Sequence, residues 1–287
     1  MAHVGYLAPS TNFDGIVHSV FTHACNVAGP SGLLTIAAHA GADGPTVWRL
    51  ASDPPDLRRL FHRGERLHRR YAAATVGDVV LDLSKAAAWH AGRWPPRASR
   101  AMADNLGVAR AALKRRRRGC PSVIDSDAAP WLRSLAEACR VCDVARATAE
   151  IDRLVGKGEG LTPAGDDAIV GFLAAIGALA GSDAEQVGFV RALSAAVAAR
   201  AARTTDISAH YLRLAAGGHF NADVTRLVHA LMGGESRDGA ALPAIGATAD
   251  SPLHLALEAA LNVGATSGAD MVAGMIAGFR ASRPANA

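Results

Sequence analysis

Residues Gly156 to Gly171 read Gly-Lys-Gly-Glu-Gly-Leu-Thr-Pro-Ala-Gly-Asp-Asp-Ala-Ile-Val-Gly and constrain this chain more than any other stretch. Gly156, Gly158, Gly160 and Gly165 place four glycines within ten residues. That density removes β-carbons and the penalty on positive φ, so backbone N–H groups can converge on one point. Thr162 reads as an N-cap and Pro163 as the first helical residue. The loop then delivers free amides and the positive end of a helix dipole together, which suits a phosphate or a carboxylate. Asp166 and Asp167, just inside the helix, leave three roles open: repelling such an anion, holding a metal beside it, or handling a proton. The plain alternative is a well-capped, closely packed helix, since acidic residues are ordinary in a first turn. No Gly-Lys-Ser/Thr follows the glycines, so this is not a Walker loop. Their GxGxG spacing, with no clear strand before it, is not the dinucleotide fingerprint either.

The pattern recurs near the C-terminus. Gly165-Asp-Asp-Ala-Ile-Val-Gly-Phe-Leu-Ala174 lays over Gly268-Ala-Asp-Met-Val-Ala-Gly-Met-Ile-Ala277, both reading Gly-x-Asp-x-aliphatic-x-Gly-x-aliphatic-Ala. Hydroxyl residues stand at or before each start: Thr162 in one, Thr266 and Ser267 in the other. Asp167 and Asp270 each precede a glycine by four, hence lie on the same helix face as Gly171 and Gly274. Those glycines would let another backbone approach. Two helix N-termini built alike suggest a pseudo-symmetric pair around one site. Between them, Arg203-Thr-Thr-Asp-Ile-Ser-Ala-His-Tyr211 gathers hydroxyls, an acid and an imidazole at another helix start. Thr204 and Ser208 could line one face there, or the segment could be an ordinary capped helix.

Half of the 287 residues are hydrophobic and only 5% aromatic, with alanine dominating the second half, which favours closely packed helices over a sheet sandwich. The longest apolar run, Ala168 to Ala180, is too short to span a bilayer. No secretory leader is evident, so a cytoplasmic location without membrane attachment is expected. Cys139 and Cys142 form a CxxC without a second pair, and Cys25 and Cys120 are isolated, which points to buried or idle thiols. The formal charge of +4 is mild and concentrated in the run Lys114 to Arg118. Without interleaved aromatics or a recognised motif, that run reads as a solvated basic helix end closed by Gly119 rather than a nucleic-acid patch. A docking patch for an acidic partner subunit is the remaining reading.

The expected fold class is α+β: a small, mainly β N-terminal domain followed by a larger, all-helical C-terminal domain. Residues 1–90 form the β-rich part, with a partial barrel as one form open to it. Its strands are read at Gly15–Phe21, Gly32–Ala38, Thr46–Leu50 and Gly77–Ser84, and Asp56–Ala73 has mixed character. Residues 91–128 read as a basic linker and one helix, Ser99–Arg118. Residues 129–287 form the helical domain carrying the glycine–Asp motifs. Helices are expected at Pro130–Val155, Pro163–Ala180, Ala184–Ala202, Asp206–Ala216, Ala222–Met232, Pro252–Asn262 and Gly268–Ala281. Gly233 to Ala249 is long enough to act as a lid. The helix after Gly165, apolar almost all round, should be the central one.

These residues resemble a known family. Gly156 to Asp167 is similar to the GLTPSGDD signature of the AllH-like family, with Ala164 where that family commonly has serine. The segments Thr204-Thr-x-x-Ser208-x-x-Tyr-Leu212 and Gly264-x-Thr-Ser-Gly-x-Asp270 look like its later motifs. The likeness covers the C-terminal half well; before that it extends to general texture and the Gly15–Phe21 opening. The resemblance implies a subunit of the FdrA-type oxamate carbamoyltransferase of bacterial allantoin breakdown, a complex converting oxalurate and phosphate to oxamate and carbamoyl phosphate. It implies FdrA-like and other carbamoyltransferase subunits as partners, so the isolated chain would show no turnover. Small anions of this kind need amide nests, helix N-termini and hydroxyls. The candidate anion site comprises Gly158, Gly160, Thr162, Gly165, Arg203, Thr204, Ser208, Thr266, Ser267 and Gly268. Asp167, Asp270 and Asp166 are the candidate catalytic carboxyls, and Asp167 with Asp270 would hold Mg²⁺ if a metal takes part. Two other classes stay open: a magnesium-dependent hydrolase using clustered aspartates, and a non-catalytic scaffold subunit whose glycine loops are packing devices.

Overall fold

The computed structural model describes residues 1–54, 56–95, 98–233 and 251–281. Of the expected lid, only Gly233 is described; 234–249 lie outside the described residues. The chain divides into two compact units, residues 1–92 with 220–222, and residues 93–219 with 223–287. The fold class is α+β, with a β N-terminal part and a helical C-terminal part.

The first unit is a curled, nine-stranded sheet. Its strands are β1 His3–Gly5, β2 Phe13–Val20, β3 Ala24–Gly29, β4 Gly32–Ala37, β5 Val47–Arg49, β6 Arg66–Arg70, β7 Ala73–Val76, β8 Val79–Asp82 and β9 Ala87–Trp89. They lie in the order β8-β7-β6-β2-β3-β4-β5-β1-β9, so the sheet stays open, with β8 and β9 at its edges. Alternation in β2 sends Phe13, Gly15 and Val17 inward and Asp14 and Ile16 outward. Val17, Val27, Ile36, Trp48, Leu67 and Val76 form the core against Leu57 and Phe61. The mixed segment Asp56–Ala73 resolves into a 3-10 turn at Leu57–Arg59, capped by Asp56, and strand β6.

The second unit is helical. Its helices are α1 Met102–Arg117, α2 Ala129–Arg140, α3 Val144–Leu154, α4 Ala164–Leu179, α5 Ala184–Arg200, α6 Asp206–Ala216, α7 Ala222–Met232 (whose first residue groups with the sheet), α8 Pro252–Leu261 and α9 Ser267–Ala281. The helix expected over Pro130–Val155 is two helices. Cys142 adopts φ 54°, and the Asp143 N–H returns to the Ala138 carbonyl at 2.9 Å while that of Cys142 reaches Cys139 at 3.1 Å. This paired return closes α2 in the usual glycine-type C-terminal turn, and Asp143 then caps α3 through the Arg146 N–H. Continuous helical periodicity hid the break because a cysteine occupies the left-handed position. No helix among the described residues is long and apolar enough to cross a membrane.

At the centre α4 crosses α9, the most extensive helix contact of the described residues, with α2 and α1 on α9 and α6 and α5 on α4. The crossing is reciprocal. A β-carbon built at Gly171 would lie 1.9 Å from the Met271 carbonyl oxygen, and one at Gly274 would lie 1.8 Å from that of Ala168. In the sequence overlay Gly171 matches Gly274 and Ala168 matches Met271, so each helix presents the same glycine to the same turn of the other. Gly165 and Gly268 repeat the device one step out, a β-carbon on them meeting the carbonyls of Leu154 at the end of α3 and Ala260 near the end of α8 at 2.0 and 1.9 Å. The starts of α4 and α9 are thus built alike, each glycine pair lying against the preceding helix and against its counterpart. Gly171→Ala should destabilise the fold by at least about 3 kcal/mol, because rigid backbone blocks the added methyl. Gly177→Ala in the same helix meets nothing within 4 Å and should stabilise by about 0.5–1 kcal/mol. Urea denaturation of both variants checks the contrast.

Candidate functional site

The loop from Gly156 to Pro163 is fastened by Asp166. One of its oxygens accepts the Gly156 N–H at 2.8 Å, and the other accepts the hydroxyls of Thr204 and of Ser208, the latter at 2.7 Å. The Thr205 hydroxyl donates to the Leu161 carbonyl, and Thr205 also caps α6 through the Ser208 N–H. Burial pushes the Asp166 carboxyl up, against these three donors. Asp166, Thr204 and Ser208 therefore form one closed cluster stitching the glycine loop to the start of α6. Two positions after Ser208 on α6, His210 is buried, which pushes its imidazole down to about 4. Arg203 points elsewhere: it pairs with Asp152 of α3, as does Arg200 at 2.8 Å.

Thr162 does not cap α4. Pro163 takes the N-cap position with φ −52° and ψ 139°, and no side chain closes that end. The Thr162 hydroxyl instead meets that of Ser267 at 2.7 Å, joining the starts of α4 and α9. Asp167 and Asp270 occupy the same position in their helices, each N–H reaching back to the N-cap carbonyl, Pro163 for one and Thr266 for the other. The hydroxyls of Ser267 and Thr162 favour the charged form of Asp167, and that of Thr266 the charged form of Asp270, each against burial. The second cluster thus brings together Thr162, Asp167, Thr266, Ser267 and Asp270. The Gly165 and Gly268 amides are spent on the carbonyls of Lys157 and Val263, at 2.8 and 2.9 Å. Among the described residues, the amides of Gly158 to Thr162 donate to no protein acceptor, and Gly158 to Leu161 are exposed.

Two residues that the sequence did not reveal complete this cluster. Arg117, in the last turn of α1, donates to Asp270 Oδ1 at 2.6 Å, and Ser122 donates to the same oxygen at 2.5 Å. Asp125 lies 3.0 Å from Arg117 Nε and closes a capping box with Ser122 over a 3-10 turn at Val123–Asp125. The basic run is accordingly not a solvated helix end throughout. Lys114, Arg115 and Arg118 are exposed, but Arg116 reaches the carbonyls of Leu261 and Ala265, and the Arg117 side chain is only 9% exposed. Gly119 follows the Arg118 C-cap without a positive φ. One signal lay in the sequence: the Ser122-x-x-Asp125 box directly after the run, which turns the chain back toward the helices.

Two carboxyls one helix turn inside paired N-termini differ sharply. Asp270 is fully buried, which raises it, but a guanidinium and two hydroxyls oppose that rise. At 2.6 Å from a permanent cation it is the ionised member. Asp167 has hydroxyls and no cation, and burial first, then the charges of Asp270 and Asp166, push it up to about 8. One oxygen of each, Asp167 Oδ2 and Asp270 Oδ2, is buried without a hydrogen-bond partner, as are Nε and Nη1 of Arg117. Unsatisfied buried polar atoms are costly and rare, and four lie within this one cluster. Because folded Asp167 holds its proton to about 8 while the unfolded carboxyl loses it near 4, the folded state binds the extra proton between those values. Stability contributed by this group must fall as pH rises through that window. Asp167→Asn should therefore match wild type in melting temperature near pH 4 and exceed it increasingly up to pH 8–9. Paired melts across that range check the slope.

Among the described residues, no group of three histidine, cysteine or acidic side chains could hold a metal ion. Searches among curated proteins and among solved structures return no match. Two family models do match. One is described as the AllH family N-terminal domain and covers residues 4–88, the curled sheet. The other, described as oxamate carbamoyltransferase subunit AllH, covers residues 154–279, from the end of α3 through the second glycine–Asp repeat. Together they take in the sheet and both halves of the helical pair, and the chain belongs to the AllH family of carbamoyltransferase subunits.

Proposed function

We propose that this chain supplies the anion-handling and proton-handling site of an oxamate carbamoyltransferase-type complex, completed by FdrA-like and other partner subunits, in bacterial purine and allantoin nitrogen breakdown. The observation that carries this reading is Asp167: a half-buried residue whose Oδ2 is sealed from solvent without a partner, its carboxyl raised to about 8, at the start of α4 beside that of α9. In phosphorolysis of oxalurate a phosphate oxygen attacks the ureido carbonyl carbon, and the bond from that carbon to the oxamate nitrogen breaks. The departing nitrogen needs a proton. A carboxyl that stays protonated near neutrality is a general acid matched to that step.

The anionic ends of the reactants suit the rest of the cluster. The unspent amides of Gly158 to Thr162 and the dipoles of α4 and α9 favour negative charge, and the bonded pair Thr162–Ser267 has one hydroxyl proton left to donate. Asp270 orients the carbamoyl nitrogen, while Asp166, with both oxygens taken up, holds the loop in place. The magnesium-hydrolase alternative fits these residues poorly. A cation would share Asp270 with a guanidinium 2.6 Å away, and a protonated Asp167 is a weak ligand.

Thermal shift of the purified chain with phosphate, carbamoyl phosphate, oxamate and oxalurate tests the site. A ligand at a hundredfold excess over its Kd should stabilise the chain by about 2.7 kcal/mol, and Asp167→Ala should remove the shift. Shifts that survive in the variant would place binding elsewhere. No shift alone or with co-purified subunits would leave the non-catalytic scaffold as the function.

A further inference from the structure

Arg117 and Asp270 are paired by one hydrogen bond rather than two. A guanidinium and a carboxylate can meet fork to fork, with both donors and both acceptors used. Here Nη2 meets Oδ1 at 2.6 Å, Ser122 takes the same Oδ1, and the pairing stops. Nη1 and Oδ2 remain buried and unpartnered, in side chains 9% and 0% exposed. Asp125 approaches Nε at 3.0 Å without a hydrogen-bonding angle, and the Thr266 hydroxyl favours the charged form of Asp270. The pair thus holds in reserve the donor Nη1 and the acceptor Oδ2, besides Nε, whose charge Asp125 balances without a hydrogen bond. Leaving such groups empty costs stability, so a ligand edge that fills both gains the full difference.

We propose that Arg117 and Asp270 together are the specificity-determining pair of the site, reading the edge of a primary carboxamide or carbamoyl group: its carbonyl oxygen on Arg117 Nη1 and its N–H on Asp270 Oδ2. This deepens the function proposed above and rests on it. A carboxylate of the same shape satisfies Nη1 but sets a second oxygen against Oδ2, where two acceptors repel. The open oxygen of Asp167 lies at the other helix start, where the charge of Asp270 helps to push that carboxyl up. The pair therefore discriminates amide from acid, a distinction that the amides and helix dipoles cannot make, since they attract any anion.

Oxamate and oxalate differ only in this respect, one carboxamide for one carboxylate. Isothermal titration of the full-length chain should give oxamate at least about tenfold tighter binding, since a site built to pair a ligand N–H rejects the analogue lacking it. In Asp270→Asn the Oδ1 contacts to Arg117 and Ser122 can persist while the open position becomes an N–H donor, so the preference should invert toward oxalate. Equal affinity of the two ligands for wild type, or an unchanged ratio in the variant, overturns the proposal. The wild-type ratio stands as a test even if the variant fails to fold. Thermal shifts by phosphate or carbamoyl phosphate without binding of oxamate would sink this pair's role and leave the anion site standing. Absence of every shift, with partner subunits present, would remove both.

Discussion

The contact on which the rest depends is the crossing of α4 and α9 at Gly171 and Gly274. Helices with side chains at the contact run 8–10 Å apart. Here each glycine lies against a carbonyl of the opposite helix, with room for no methyl group. That closeness brings the two N-termini together, and with them Asp167 and Asp270, each one turn before its glycine. The same closeness removes water from both carboxyls. The chemistry of the site is therefore a consequence of backbone packing: a larger residue at either glycine would part the helix starts and dissolve the cluster along with the fold.

Much of this was legible in the sequence, and for a physical reason. The glycine–Asp repeat is local, and a glycine four residues after an aspartate states both a helix face and a close neighbour. The central place of α4 was legible separately, in a helix apolar almost all round. Hidden features were those set by partners distant in the chain. Thr162 looked like a cap because its hydroxyl precedes Pro163, yet the hydroxyl of Ser267 claims it. Arg117 looked like one of five solvated cations, because nothing within the run says which of them turns inward toward a residue 153 positions away. Strand β3, Ala-Cys-Asn-Val-Ala-Gly, lacks the β-branched texture of its neighbours and is held by pairing on both sides. The break at Cys142 escaped notice because turns of this kind are read from glycine.

The repeat alone could not produce an acid. Two carboxyls at equivalent positions, equally buried and equally capped, would rise together and share one proton without distinction. The difference comes from α1, which belongs to neither repeat: its last turn lends Arg117 to Asp270 and offers nothing to Asp167. A charge introduced from outside a symmetric pair is an economical way to divide labour within it, since it lowers the proton affinity of one member and leaves that ionised member to raise the other. Burial does most to keep Asp167 protonated, and the charge that Arg117 helps to hold on Asp270 adds to it. The two roles proposed here, proton supply at one helix start and recognition at the other, rest on where a single guanidinium sits.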